Sequence, residues 1–209
     1  MKLYGLAPTR SLRAEWVLRE VGADYEFITV RLGAGEQLKP EFLRLNPAAK
    51  LPVLVDGDTV IPESAAIVFY LADKFPEKGL MPSDLEARAA IYRWVMFTMT
   101  ELEAPLWRIS RNTFLYPEDQ RQPSDIAIAR REFTAMAAIL DRHLEGREFI
   151  VGDRFSVADC VAAYAMDWAD EDGLLADFPE LRAYLARLYA RPTAPRRIAA
   201  AFAQLQAAG

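Results

Sequence analysis

The sequence predicts an α/β unit in the order β-α-β-α-β-β-α, followed by an all-helical region. Three observations predict it. Short segments rich in β-formers alternate with helical periodicity up to residue 76. Asp56-Gly57 stands between two apolar runs and is the strongest hairpin signal in the chain. From Glu86 onward the apolar residues recur almost only at steps of three and four.

The elements follow in order. Lys2-Leu3-Tyr4 reads as a strand and Ala7-Pro8-Thr9-Arg10 as a loop. A helix begins at Ser11, carries Leu12, Trp16 and Val17 on one face, and ends at Gly22. Tyr25 to Val30 alternates as a strand. A loop with Gly33 and Gly35 leads to a helical turn at Pro40-Glu41-Phe42-Leu43-Arg44. Pro52 has no N–H for a ladder and marks the entrance of the next strand, with a cis Leu51–Pro52 bond as the sharper reading. Val53-Leu54-Val55 and Thr59-Val60-Ile61 form the hairpin. Ser64 is placed to cap the helix that runs to Pro76.

Residues 77–85 read as a linker, which divides the chain into domains at 1–76 and 86–209. A long helical pattern runs from Glu86 to about Asn112, with Pro105 expected to kink it. Another follows through Ile126, Phe133 and Leu140 to Gly146. In Phe155-Ser156-Val157-Ala158-Asp159-Cys160, Ser156 and Asp159 have the spacing of a capping box, and Phe155 and Cys160 that of a hydrophobic staple. Two more helices, near 179–191 and from about Ala194, end the chain.

Composition narrows the chemistry. The 209 residues carry a net charge of -5, so a basic nucleic-acid footprint is absent. No apolar run approaches a membrane span, and the start lacks the apolar core of a leader, so the cytoplasm is the expected compartment. One cysteine, Cys160, and one histidine, His143, allow neither a disulfide nor a His/Cys zinc site, and no metal is expected.

The order Asn46-Pro47, Lys50-Leu51-Pro52-Val53-Leu54, Asp56-Gly57, Glu63-Ser64 resembles the glutathione transferase superfamily, and the Ser156–Asp159 segment resembles that family's helical-domain motif. The resemblance covers most of the chain. It implies a thioredoxin-like N-terminal domain with a mixed four-stranded sheet, a helical C-terminal domain and a homodimer. The implied activity is conjugation of the glutathione thiolate to a small hydrophobic electrophile, as in detoxification. A non-catalytic glutathione-binding or protein-interaction member, and a glutathione-dependent isomerase, dehalogenase or peroxidase, are the alternatives.

Glutathione, here a co-substrate, carries an α-ammonium and an α-carboxylate at its γ-glutamyl end. Glu63 can take the ammonium. Ser64, with the N–H groups of a helix start, can take the carboxylate, or it is simply a cap. The main chain of Leu51 before Pro52 can pair with the cysteinyl part as a strand would. Lys50 can meet the glycyl carboxylate or stand as a solvated lysine; Lys39 and Gln37 are weaker candidates for that task. The thiol needs a donor to hold it as thiolate near neutral pH. Bacterial cysteine-type members place their cysteine where this chain has Arg10. The hydroxyls in that window are Ser11 and Thr9, taken in that order, and Ser11 also reads as an N-cap. Tyr4 sits too early in its strand. Arg10 and Arg13 either raise the local positive potential or are surface charges. An electrophile pocket between the domains would draw on Met99, Glu103, Trp107, Phe114 and Tyr116.

Overall fold

A computed structural model describes residues 1–207. The four strands are β1 (Lys2–Gly5), β2 (Glu26–Thr29), β3 (Val53–Asp56) and β4 (Thr59–Pro62). They form one sheet in the order β2-β1-β3-β4, with β1 parallel to β2 and antiparallel to β3. The helices are α1 (Ser11–Val21), α2 (Pro40–Leu43), α3 (Ser64–Lys74), α4 (Leu85–Phe97), α5 (Glu103–Ser110), α6 (Pro123–His143), α7 (Val157–Glu171), α8 (Pro179–Tyr189) and α9 (Ile198–Ala207). This is the thioredoxin-like sheet followed by a helical region that the sequence predicts. Two compact units result: residues 1–81 with 189–207, and residues 82–188.

In the first unit, α1 packs on α3. Leu12, Trp16, Val17 and Leu18 of α1 and Ile67, Val68 and Leu71 of α3 are buried. Each such side chain contributes about 1.5–3 kcal/mol through lost apolar exposure. Gly22 closes α1 in the left-handed region at φ 67°, its N–H bonded to the Arg19 and Leu18 carbonyls. Asp56 holds the hairpin to α3, accepting from the Tyr70 hydroxyl at 2.7 Å and from Lys74.

The chain end returns to this unit. Glu20 accepts from Trp16 Nε1 at 3.1 Å, from Arg191 Nε at 2.8 Å and Nη2 at 2.9 Å, and from the Thr193 hydroxyl. The Tyr189 ring lies 5.2 Å from that of Trp16. Burial alone would raise the Glu20 carboxyl. The hydrogen bonds from Arg191 and Thr193 overcome it and hold the group below its usual value. Since the folded pKa is depressed, the stabilisation is full above the unfolded carboxylate value of about 4.3 and is lost as pH falls through the lower folded value. Glu20→Ala is expected to cost about 2–4 kcal/mol at pH 7. The gap to wild type should close as the pH of urea unfolding falls below about 4.3.

The second unit is built around α7, where every residue from Val157 to Met166 is buried. A helix apolar on all sides belongs inside a bundle, and its alanines let neighbours approach closely. The capping box forms as expected. The Ser156 N–H and hydroxyl each donate to Asp159 Oδ2 at 2.8 Å, while the Ile150 N–H at 2.9 Å and the Tyr184 hydroxyl at 2.8 Å donate to Oδ1. His143 serves the fold: its Nε2–H donates to the Ile150 carbonyl at 2.8 Å, and the ring lies 4.3 Å from Trp94.

The long helical pattern is resolved differently from a single kink. The chain widens to π geometry at Thr98–Leu102 and again at Arg111–Leu115. The first widening lies just before Pro105, whose missing N–H and bulky ring conflict with the carbonyl four residues earlier in a regular helix. The second is tied to α6, with Arg108 and Asn112 both donating to Asp125.

Candidate functional site

The sheet register brings the candidate segments of the first unit to one end. Val53 opposes both Tyr4 of β1 and Pro62 of β4. The loop after β1, the Leu51–Pro52 bond and the start of α3 therefore leave the same edge. The Leu51–Pro52 bond is cis, as is Ala7–Pro8. The β3 ladder begins only at Val53, and no hydrogen bond among the described residues engages the Leu51 N–H or C=O. Leu51 packs with Tyr4, Phe42 and Val53.

Lys50 is exposed, and its carbonyl accepts from Asn46 Nδ2 at 2.9 Å. Asn46 Oδ1 accepts from the Ala48 N–H at 3.1 Å, so this one buried side chain shapes the turn ahead of Pro52. Lys39 lines a groove of about 590 Å³ with Tyr4, Thr29, Glu36 and Arg44. Glu36 accepts from the Arg31 backbone at 2.8 Å and from its guanidinium, which holds the carboxyl down to about 2. Gln37 Oε1 is buried without a hydrogen-bond partner.

At the head of α3 the capping residue is Glu63, not Ser64. Glu63 is exposed and has φ 72° and ψ 117°, a conformation that a side chain with a Cβ rarely adopts. Strain of this kind is typical of ligand clamps. Ser64 is the first helical residue and 3% exposed, and its Oγ accepts from Arg13 Nη1 at 3.4 Å. Arg13 is fully buried at 0%, which corrects the surface reading of that residue.

The loop after β1 also differs from the expectation. Arg10, not Ser11, precedes α1 as its cap, and no side chain caps the helix. Ser11 is fully buried. Its Oγ accepts from the Leu6 N–H at 3.1 Å and lies 2.8 Å from Thr9 Oγ1. A Cβ added at Gly5 would stand 2.7 Å from that oxygen, so glycine there lets β1 and α1 approach. Thr9 is half-buried, and its hydroxyl donates to the Leu6 carbonyl at 2.5 Å. A hydroxyl has one proton, so Ser11 must donate to Thr9. The two hydroxyls and Leu6 thus form a closed ring of hydrogen bonds, and of the pair only Thr9 reaches solvent.

In the second unit, Phe114 is exposed, Trp107 meets Trp168 edge-on at 6.2 Å, and Arg111 covers the Tyr116 ring at 5.5 Å. Glu103 is buried and Met99 half-buried. Among the described residues no cluster of His, Cys, Asp and Glu could hold a metal ion, and no helix is long and apolar enough to cross a membrane.

Comparison with known proteins agrees with this geometry. Residues 1–73 match the family described as glutathione S-transferase, N-terminal domain, and residues 98–192 match the corresponding C-terminal domain. A zeta-class glutathione S-transferase of Euphorbia esula is 34% identical over 163 residues, 76% of this chain and 71% of that protein. A glutathione S-transferase of Xanthomonas campestris is 32% identical over 195 residues, 91% of this chain and 93% of that one. A crystal structure of a glutathione transferase from Burkholderia graminis, with two glutathione molecules bound per subunit, superposes with a TM-score of 0.84 at 30% identity, covering 92% of this chain and 85% of that one. Matched in both halves, and aligned with these relatives over most of their length, the chain belongs to the glutathione S-transferase family.

Proposed function

We propose that residues 1–76 bind glutathione and present its thiolate to a small hydrophobic electrophile, in a cytoplasmic conjugating enzyme that works as a homodimer and without a metal. The observation that carries this is the convergence of the unpaired Leu51 main chain with Glu63 and Ser64 at one end of the sheet. Glu63 takes the γ-glutamyl ammonium, and Ser64 with the α3 N–H groups takes the carboxylate. The Leu51 main chain pairs with the cysteinyl residue, and Lys50 meets the glycyl carboxylate. The bound glutathione of the Burkholderia relative supports the ligand.

The thiolate is held by Thr9, with Ser11 behind it. Burial of Ser11 reverses the order in which the sequence ranks the two hydroxyls. To donate to sulfur, Thr9 must release the Leu6 carbonyl while still accepting from Ser11, which polarises its hydroxyl. Conjugation then needs proximity and a stabilised anion, and no covalent enzyme intermediate. The closed hydroxyl ring also favours a second reading, a member that binds glutathione as neutral thiol and does not conjugate it.

One titration separates them. Stopped-flow ultraviolet absorbance should show bound thiol ionising about 1–2 units below the free value of about 8.5. Thr9→Val should raise that pKa by about 1 unit, and Thr9→Ser should restore it. Ionisation at the free value makes the protein a binding member. No binding heat at millimolar glutathione removes the glutathione reading altogether.

A further inference from the structure

We propose that the outer edge of β2 and the groove beside it form a docking site for an extended peptide with an aromatic and an acidic side chain on one face. The site is independent of the glutathione reading. β2 ends the sheet, pairing with β1 on one side and with no strand on the other among the described residues. The Glu26 N–H donates to the Met1 carbonyl at 3.0 Å, and the Val30 N–H to the Gly5 carbonyl at 2.9 Å. Main-chain groups alternate in direction along a strand. Residues 26, 28 and 30 therefore face β1, while Phe27 and Thr29 turn N–H and C=O outward. No hydrogen bond among the described residues engages those outward groups. Natural edges are blunted by proline, lysine, a bulge or a cover. The far edge follows this rule, since β4 ends in Pro62, which has no N–H. Between Glu26 and Thr29 there is neither proline nor lysine, the register with β1 is unbroken, and Thr29 is exposed.

A groove of about 590 Å³ adjoins this edge. It is lined by Ile28 and Thr29 of β2, by Phe42, Arg44 and Leu45 at α2, and by Tyr4. Tyr4 and Ile28 are register partners and so share one face of the sheet, where Tyr4 packs with Phe42. Alternate side chains of an added strand would fall on that same face, into the groove. Its floor is aromatic. The Tyr4 and Phe42 rings already meet edge-on at 6.4 Å, an arrangement that a third ring extends. Charge selects the second side chain. Glu36 is answered by Arg31 and Lys39. Arg44 is exposed and has no ion pair among the described residues. With Arg31 counted, the rim holds three cations against the two carboxylates of Glu36 and Glu41, which favours an acid beside Arg44.

The probe is a capped, dye-labelled peptide, threonine-phenylalanine-threonine-aspartate-threonine, followed by fluorescence anisotropy on the full chain. Only two residues of β2 are open to pairing, so binding is expected at about 10–100 µM. An added strand turns the N–H of every second residue toward its partner. N-methylation of the central threonine in one peptide and of the aspartate in another should therefore differ. One should lose about tenfold, and the other should stay within about threefold. Equal losses, none, or no binding of the parent peptide at millimolar protein overturns the proposal. Asparagine in place of the peptide's aspartate should weaken binding about threefold to wild type and not to Arg44→Gln. An equal loss in both proteins overturns the acidic part. Thr29→Pro removes only an outward N–H, so it should melt as wild type does and bind no peptide. Should it fail to fold, the methylated pair on wild type decides. Two other occupants would show themselves. A species that becomes smaller in sedimentation on Thr29→Pro means that a second copy covers the edge. Phenylacetate binding as tightly as the peptide means that the groove takes small acids. Either result overturns the proposal.

Discussion

Replacing Asp159 with alanine is expected to cost about 4 kcal/mol of folding stability, the largest effect of any single substitution proposed for this chain. The carboxylate is fully buried and receives four hydrogen bonds, from the Ile150 and Ser156 backbone and the Ser156 and Tyr184 hydroxyls. Burial pushes the carboxyl up from its usual range, and those donors pull against it. Alanine leaves all four donors without their acceptor inside α7's surroundings. The melting temperature should fall by about 10 °C. Asp159→Asn keeps the volume but turns an NH₂ toward some of the donors, so an intermediate loss is expected. Tyr184→Phe removes one donor and should cost about 1–2 kcal/mol. Denaturant unfolding at pH 7 checks the series, and a loss under 1 kcal/mol for Asp159→Ala would show that the cap does not hold this unit.

Glu63→Gly is expected to separate stability from binding. At φ 72° and ψ 117° the glutamate backbone is strained, by about 1–3 kcal/mol for such outliers. Glycine relieves the clash of the Cβ but loses more entropy on folding. The net result should be unchanged stability or a gain of up to about 1 kcal/mol. The carboxylate is lost at the same time, and a charge-assisted bond to an ammonium is worth about 1.5–3 kcal/mol. Glutathione affinity should therefore drop between tenfold and a hundredfold. Calorimetry and thermal melts on the same sample would show both. A destabilised variant with intact affinity would mean that the strain at residue 63 serves the fold and not a ligand.

The elements that sequence patterns located well are those fixed by local chemistry. Asp56-Gly57 can turn only one way, and the Ser156–Asp159 spacing closes on itself within one helical turn. Errors at the helix starts have one cause. Ser11 and Ser64 each read as caps beside their functional reading, because hydroxyls favour that position. In the structure both lie one residue inside the helix, and their oxygens accept from Leu6 N–H and Arg13. Local pattern cannot show such partners, because they come from other parts of the chain. The burial of Arg13 was hidden for the same reason: an arginine between apolar positions on a short helix normally faces water. The π-turns around α5 were signalled by Pro105 alone, and the second has no local sequence mark.

The bond from Glu20 to Arg191 has a consequence for biosynthesis. The first unit joins residues 1–81 with the segment that follows residue 188, so a ribosome delivers the second part only after all of residues 82–188 have emerged. Until then Trp16 lacks Tyr189, and Glu20 has no cation to receive. The nascent amino-terminal segment must wait for the segment after residue 188 before its fold is complete, so a chain halted before Tyr189 would carry its defect far back, around Trp16 and Glu20.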